Sequence, residues 1–177
     1  MCPAHALSFS SVLPLRPSIN DFALMSQWLV HTTNYGTLAT LDLTHNTPDG
    51  CLVSHSDGSD AGMRGRILFY LSPLDECTKN IEVQSRVSYT VSEAQSEPGC
   101  SEPEDPTCAR ITAFGDMVRV PAEQQWAKKA MFSRHPQMED WPTDHEFRIY
   151  ELQLDVIHLL DNYGGQKIVT AKAYYAA

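Results

Sequence analysis

Two long stretches of period-two alternation, Ala109 to Val120 and Phe147 to Asp161, restrict this chain's fold more than any other feature. In a strand, successive side chains point to opposite faces, so each stretch offers one face to a core and the other to solvent or a second layer. Shorter segments of the same kind lie upstream. Gly36 to Leu43 carries Thr37, Ala39, Leu41 and Leu43 on one face, and a turn around Asn46 to Gly50 leads into Cys51 to His55 as a hairpin. After a Gly, Ser and Asp tract from Ser56 to Gly65, the apolar run Arg66 to Leu71 predicts a strand buried on both faces. Val87, Tyr89 and Val91 alternate as a further strand. Gly115 and a change of apolar parity near Asp155-Val156 predict bulges, where one extra residue bends a strand.

The helical segments are short and lie between these strands. Ser18 with Asp21 resembles a capping pair, and Phe22, Met25, Trp28 and Leu29 follow at helical spacing to about His31. Pro73 opens a short helix with Leu74, Cys77 and Ile81 on one face and Thr78, Lys79 and Asn80 elsewhere. Pro121 opens another, with Trp126, Ala127, Ala130 and Met131 on one side and Lys128 and Lys129 towards water, ending before Pro136. A Gly164-Gly165 turn precedes a helical turn from Thr170 to Tyr175. About six strands without a βαβ rhythm predict a mainly β (α+β) fold, an antiparallel barrel with peripheral helices. Residues 1–17, rich in Pro and Ser, are expected to form a poorly ordered arm, leaving one domain over 18–177.

Charge excludes some functions. Thirteen basic against 22 acidic side chains give a formal charge of −9, and the longest basic cluster is Lys128-Lys129 near Arg134. Nucleic-acid binding is not expected, because counterion release needs several closely placed cations. No apolar run approaches the ~20 residues that cross a bilayer, so no membrane insertion is expected. Met1 to Ala6 lacks the basic opening and apolar run of a secretory leader, and no Asn-x-Ser/Thr acceptor occurs. On these grounds the compartment stays open: either the chain is not secreted or its leader has been removed. The five cysteines, Cys2, Cys51, Cys77, Cys100 and Cys108, have no zinc-ligand spacing. Cys100 and Cys108 flank an acidic, Pro-rich loop that a disulfide would close in an oxidising compartment and leave open in a reducing one.

Few residues signal chemistry. There is no Gly-x-Ser-x-Gly elbow, Walker A loop, His-Glu-x-x-His or Gly-x-Gly-x-x-Gly motif, so no catalytic residue is assigned. His135 and His145, on either side of Trp141-Pro142, read as turn-packing or interface residues. Ser72 with Thr78-Lys79 sets two hydroxyls and an ammonium near a helix start, a combination able to hold a phosphate.

Several segments in order resemble the CREG family, a branch of the FMN-binding split-barrel fold shared with pyridoxamine 5′-phosphate oxidases. They are Trp28 to His31 with Tyr35 to Thr40, Ser54 to Gly58, Phe69 to Asp75, Ser92 to Gln95, Asp105 to Ala109, Met131 to Pro142, and Leu160-Asp161 with Tyr163 to Gly165 and Tyr174-Tyr175. The resemblance implies a homodimer of six-stranded antiparallel split β-barrels, with a site at the subunit interface that holds FMN in the flavin oxidases. Ser72, Thr78 and Lys79 fall where those oxidases bind the FMN phosphate, while Ser54-His55-Ser56 stands where an arginine would help clamp it. It also implies a secreted or endolysosomal protein linked to growth control, with no established catalysis. The expectation is therefore a non-catalytic, dimeric binding or regulatory protein acting with an unknown protein partner. Two alternatives accompany it: an FMN-dependent oxidoreductase, and a haem-binding barrel with His55, His135 or His145 as ligand.

Overall fold

The structure is a computed structural model that describes residues 15–58, 65–96 and 98–177. The expected arm thus lies outside the described residues except for Leu15, Arg16 and Pro17. Of these, Leu15 is exposed and Arg16 holds the Glu93 carboxylate through bonds of 3.0 and 3.2 Å.

Among the described residues, seven strands form one antiparallel sheet: β1 (Tyr35–Asp42), β2 (Thr47–Ser56), β3 (Leu68–Leu71), β4 (Arg86–Ser92), β5 (Arg110–Arg119), β6 (Arg148–Leu160) and β7 (Lys167–Thr170). Their order is β3-β2-β1-β4-β5-β6-β7, and a further β3–β6 pairing closes the first six into a barrel. The expected six-stranded barrel is present, with β7 added. β6 makes this possible by its length. Along one edge it pairs with β5 from Tyr150 to Leu160, while the other edge takes β3 opposite Arg148 to Glu151 and β7 opposite Val156 to Leu159. One strand thus serves the barrel with its first half and the extra strand with its second.

The bulge falls where the parity change placed it. Phe114 pairs with Val156 and Gly115 with Leu154, so Asp155 is the extra residue on β6. Gly115 lies across from it because a Cβ there would collide with the Gln153 carbonyl. Several boundaries differ from the expectation, among them the second helix, which starts at Glu76 behind its Asp75 cap rather than at Pro73. β2 begins at Thr47 rather than Cys51 because Asn46 turns the hairpin tightly at φ 51°. β7, only four residues long, follows its Gly-Gly turn too closely to display a period. The third helix starts at Gln125, since Pro121 to Gln124 form a turn closed by Gln124 N–H donating to the Pro121 carbonyl at 3.0 Å.

Among the described residues, four α-helices cover the barrel: α1 (Phe22–Thr32), α2 (Glu76–Val83), α3 (Gln125–Arg134) and α4 (Ala171–Tyr175). α1, capped by Asp21, lays Met25, Leu29 and Val30 on a core that includes Phe69, Tyr89 and Leu152. α4 seats the buried Tyr174 against α1, where the Gln27 amide donates to the Tyr174 carbonyl at 2.5 Å. A second, smaller core lies between α3 and the outer face of the barrel, where Ala127 and Met131 meet Leu68, Val120 and Ile149. The residues at alternate positions of β3 therefore enter two different cores, which explains its continuous apolar run. Two disulfides are present among the described residues. Cys100–Cys108 closes the acidic loop, resolving that question, and Cys51–Cys77, which no spacing signalled, ties β2 to α2. No helix among the described residues is long and apolar enough to cross a membrane.

Candidate functional site

A cavity of about 500 Å³ opens between β2, the end of β3, the approach to α2 and the segment 136–147. Its wall is aromatic. Tyr70 on β3 stacks on Phe147 at 5.0 Å and on Trp141 at 6.0 Å between ring centroids, and Trp141 meets Phe147 at 4.8 Å. Burial raises the Tyr70 pKa above that of an ordinary phenol, keeping it a neutral donor and acceptor at physiological pH. Leu52 and Leu74, 76% and 64% exposed, project at the rim. His145 completes the lining. It sits in a 3₁₀ turn, Thr143–His145, whose following residue Glu146 adopts the left-handed conformation; this turn and the preceding one, Pro136–Asp140, carry the chain past Pro142 with Met138, Trp141 and His145 in the lining.

Of the three residues expected to hold a phosphate, Ser72 alone lines this cavity. Its hydroxyl donates to the His145 carbonyl at 2.7 Å and accepts from the Leu74 N–H at 3.1 Å, which makes it the pin joining the β3 end to the 136–147 segment. Thr78 is fully buried on the inner face of α2, with no hydrogen-bond partner for its hydroxyl. Lys79 is on the outer face, where its ammonium donates to Glu76 at 2.5 Å across one helical turn. The three do not converge on one accessible point within a single chain, so an FMN phosphate does not fit them as they stand.

The histidines divide in the same way. His55 is inside the barrel. Its Nε2 donates to the Val30 carbonyl at 2.8 Å, so Nδ1 accepts from the Tyr89 hydroxyl at 2.7 Å. Burial pushes the imidazole down to about 4 and raises the Tyr89 hydroxyl. His135 is buried as well, its pKa lowered by desolvation, and its Nε2 donates to the His55 carbonyl at 2.8 Å. With both of its ring nitrogens occupied, His55 is not positioned as an axial ligand; His135 is tied to the β2 backbone through Nε2, and His145 faces the cavity.

Residues in the segments Ser54 to Gly58 and Met131 to Pro142 meet in a polar junction that sequence reasoning did not resolve. Arg134 pairs with the buried Asp57 and donates to the carbonyls of His31 and Thr33 at 2.8 and 3.0 Å and to the Asn34 side chain at 2.8 Å. It thereby satisfies carbonyls at the C-terminal end of α1 that have no intrahelical partner. Asp57 also accepts from His31 Nδ1 at 2.7 Å, and the Ser56 hydroxyl donates to the Ala130 carbonyl at 2.8 Å. Where an oxidase is expected to place a phosphate clamp, this chain has residues that bolt α1 and α3 to β2. The cysteine pair beside Asp49 likewise forms a cross-link, though Asp49, Cys51 and Cys77 lie within metal-ligating distance of one another.

Residues 17–176 match the family model described as CREG, beta-barrel. This chain belongs to the CREG family. Protein CREG1 of Gallus gallus is 37% identical to it over 169 residues, covering 90% of this chain and 88% of that one, and Protein CREG1 of Homo sapiens is 33% identical over 174 residues, covering 94% and 79%. Among solved structures, a heme-binding protein from Mycobacterium smegmatis superposes with a TM-score of 0.72 at 24% identity, over 92% of this chain and 62% of its own length. A general stress protein 26 relative from Clostridium acetobutylicum, of the pyridoxinephosphate oxidase family, superposes at 0.61 with 8% identity, over 87% of this chain and 97% of that one. At such identities the likeness establishes the fold, a split barrel, which the CREG-family chain shares with both.

Proposed function

We propose that this CREG-family chain is a non-catalytic binding and regulatory protein that acts as a homodimer, with the aromatic cavity and its apolar rim forming part of the dimer face. The observation that carries this reading is the exposure of Leu52 and Leu74 around a cavity already walled by Tyr70, Trp141 and Phe147. Apolar surface gathered in one place and left to water costs roughly 25 cal/mol per Å², a cost that a second copy removes. The commitment of both His55 ring nitrogens and of Arg134 to internal bonds supports a binding role over catalysis, because neither is left poised to exchange a proton or attack a substrate. An unidentified protein partner, and a setting in growth control or the endolysosomal compartment, fit the family resemblance.

A second reading, a bound flavin or haem, is favoured by one feature: His145 beside three aromatic rings in a cavity of ligand size. Haem would take His145 as its ligand. A flavin would rest its ring system on Tyr70, Trp141 and Phe147 and would bring redox chemistry, but its phosphate would need Thr78 uncovered and Lys79 released from Glu76. The test is an absorbance scan of purified protein incubated with FMN or with haem and then desalted, together with its mass in solution. A dimer without retained bands is expected. Retained bands would move the assignment to the second reading, and a monomer at micromolar concentration would defeat the first.

A further inference from the structure

Asp49 and Cys51 are two residues apart on β2, so both side chains leave the same face of the strand. Helix α2 packs across that face and brings Cys77 and Asn80, one turn apart, onto it. Thr40, buried on β1 opposite Asp49, completes the group. Asp49 Oδ2 lies 3.7 Å from Cys77 Sγ and accepts from Asn80 Nδ2 at 3.3 Å. The Thr40 hydroxyl is 3.7 Å from the same sulfur and accepts from Asn80 Nδ2 at 3.1 Å. Asp49, Cys51 and Cys77 each bring one potential ligand atom to within 4.8 Å of the other two.

In the oxidised chain the two sulfurs are joined and carry no proton, so neither offers Asp49 a hydrogen. Among the described residues no cation pairs with this half-buried carboxylate. Opening the disulfide changes what the cluster can hold. Two thiolates and a carboxylate repel one another unless a cation sits between them. The spacing suits zinc. With Zn–S and Zn–O bonds of about 2.3 and 2.0 Å, tetrahedral ligation sets sulfur and oxygen about 3.5 Å apart, close to the 3.7 Å between Asp49 Oδ2 and Cys77 Sγ. The Cys51 and Cys77 Cα atoms are 6.5 Å apart, toward the long end of what a disulfide spans. The released sulfurs therefore have room to separate to the about 3.7 Å that two zinc ligands need. Asn80 and Thr40 supply the outer hydrogen bonds that orient metal ligands. Two sulfurs with one oxygen favour zinc over calcium or magnesium, which take oxygen ligands.

We infer that the chain, once reduced at Cys51–Cys77, binds a zinc ion through Cys51, Cys77 and Asp49, with water in the fourth position. A dithiol is the reductant. Its thiolate attacks Cys51 Sγ, the less buried sulfur, and the S–S bond breaks with its electron pair leaving on Cys77 Sγ. The reductant's second thiol then displaces Cys51 and closes as a disulfide, so two electrons and two protons pass to the chain. Zinc takes both thiolates, and the two protons go to solvent. Either way β2 stays tied to α2, by a covalent bond in an oxidising setting and by a metal in a reducing one. None of the three ligands lines the aromatic cavity, and the site does not rest on the dimer.

The experiment uses the full chain carrying Cys2→Ser, Cys100→Ser and Cys108→Ser, which leaves Cys51 and Cys77 as its cysteines. Oxidised protein, and protein reduced with dithiothreitol and desalted without oxygen, are each titrated with zinc, counted by dialysis, and with cobalt(II). Cobalt reports thiolate ligation through its sulfur-to-metal charge-transfer band. One equivalent bound by the reduced chain, with that band, and none by the oxidised chain is expected. Asp49→Asn should weaken binding by more than about tenfold, and Asn80→Ala by about tenfold, the scale for an outer hydrogen bond to a ligand. Glu76→Gln, at an exposed acid on the same helix, leaves it unchanged. Zinc should also raise the melting temperature of the reduced chain and not that of the oxidised one, because only the fold assembles the three ligands. Should the triple variant fail to fold, the reduced wild-type chain is compared with Cys77→Ser, which should lose the cobalt band. A reduced chain without the band, equal binding by the oxidised chain, or full affinity in Asp49→Asn overturns the inference.

Discussion

Two regions flank the segment Met131 to Phe147, and they use polar and apolar residues in opposite ways. On one side Asp57, Arg134, His31, His55 and His135 form a closed junction in which a charged pair and two neutral imidazoles have bonded partners. On the other side Leu52, Leu74 and Trp141 leave apolar surface open around a cavity. A buried charge is tolerated only when paired and hydrogen-bonded, so the junction is explained within the chain. Open apolar surface has no such internal explanation and points outward, to a second copy or a ligand. The residues that look most chemical in the sequence are therefore spent on internal bonds, and the face proposed for binding is made mostly of residues that look like core.

This contrast can be broken from either side. The largest effect is expected at the junction, where Arg134→Ala strands the Asp57 carboxylate and uncaps α1. It should cost about 3–5 kcal/mol, the range for one partner lost from a buried pair, read by urea unfolding. A loss below about 1 kcal/mol would show that the junction is not closed. Next comes pH. His55 titrates at about 4 in the fold against about 6.5 when unfolded, so below pH 6.5 the unfolded chain binds the extra proton. Stability should fall by about 3 kcal/mol between pH 6.5 and pH 4 and level off below, with His135 acting in the same direction. His55→Gln should flatten that slope, and an unchanged slope would place the titration elsewhere. At the open face Trp141→Ala should cost only about 1–3 kcal/mol in the monomer but shift sedimentation towards monomer, and an unaltered dimer would remove Trp141 from the interface. Lys79→Ala marks the small end. Its pair with Glu76 is surface-exposed, so the melting temperature should move by less than the equivalent of about 0.5 kcal/mol, and a larger loss would show that the ammonium bears on more than Glu76.

Most of the barrel was legible. The alternation of Ala109 to Val120, the parity change at Asp155 and the apolar run before Leu71 correspond to β5, the bulge and β3. The family resemblance rested on segments that turn out to include the junction and the cavity wall. The candidate site was legible only in part. Ser72 was identified as a residue of interest, but its hydroxyl is spent on the His145 carbonyl. Thr78 and Lys79 are adjacent in sequence, yet one lies beneath α2 and the other on its surface.

The sequence by itself determined the period of each strand, the positions of the turns and the family, because these are local properties that survive without a partner. Tertiary structure alone decided which polar groups are spent and which are free. Arg134 reaches Asp57 across 77 positions, Ser56 reaches Ala130 across 74, and Cys51 meets Cys77 across 26. Contacts at such separations leave no period or spacing in the chain, and appear only when closure of the barrel by β3 on β6 brings distant segments together.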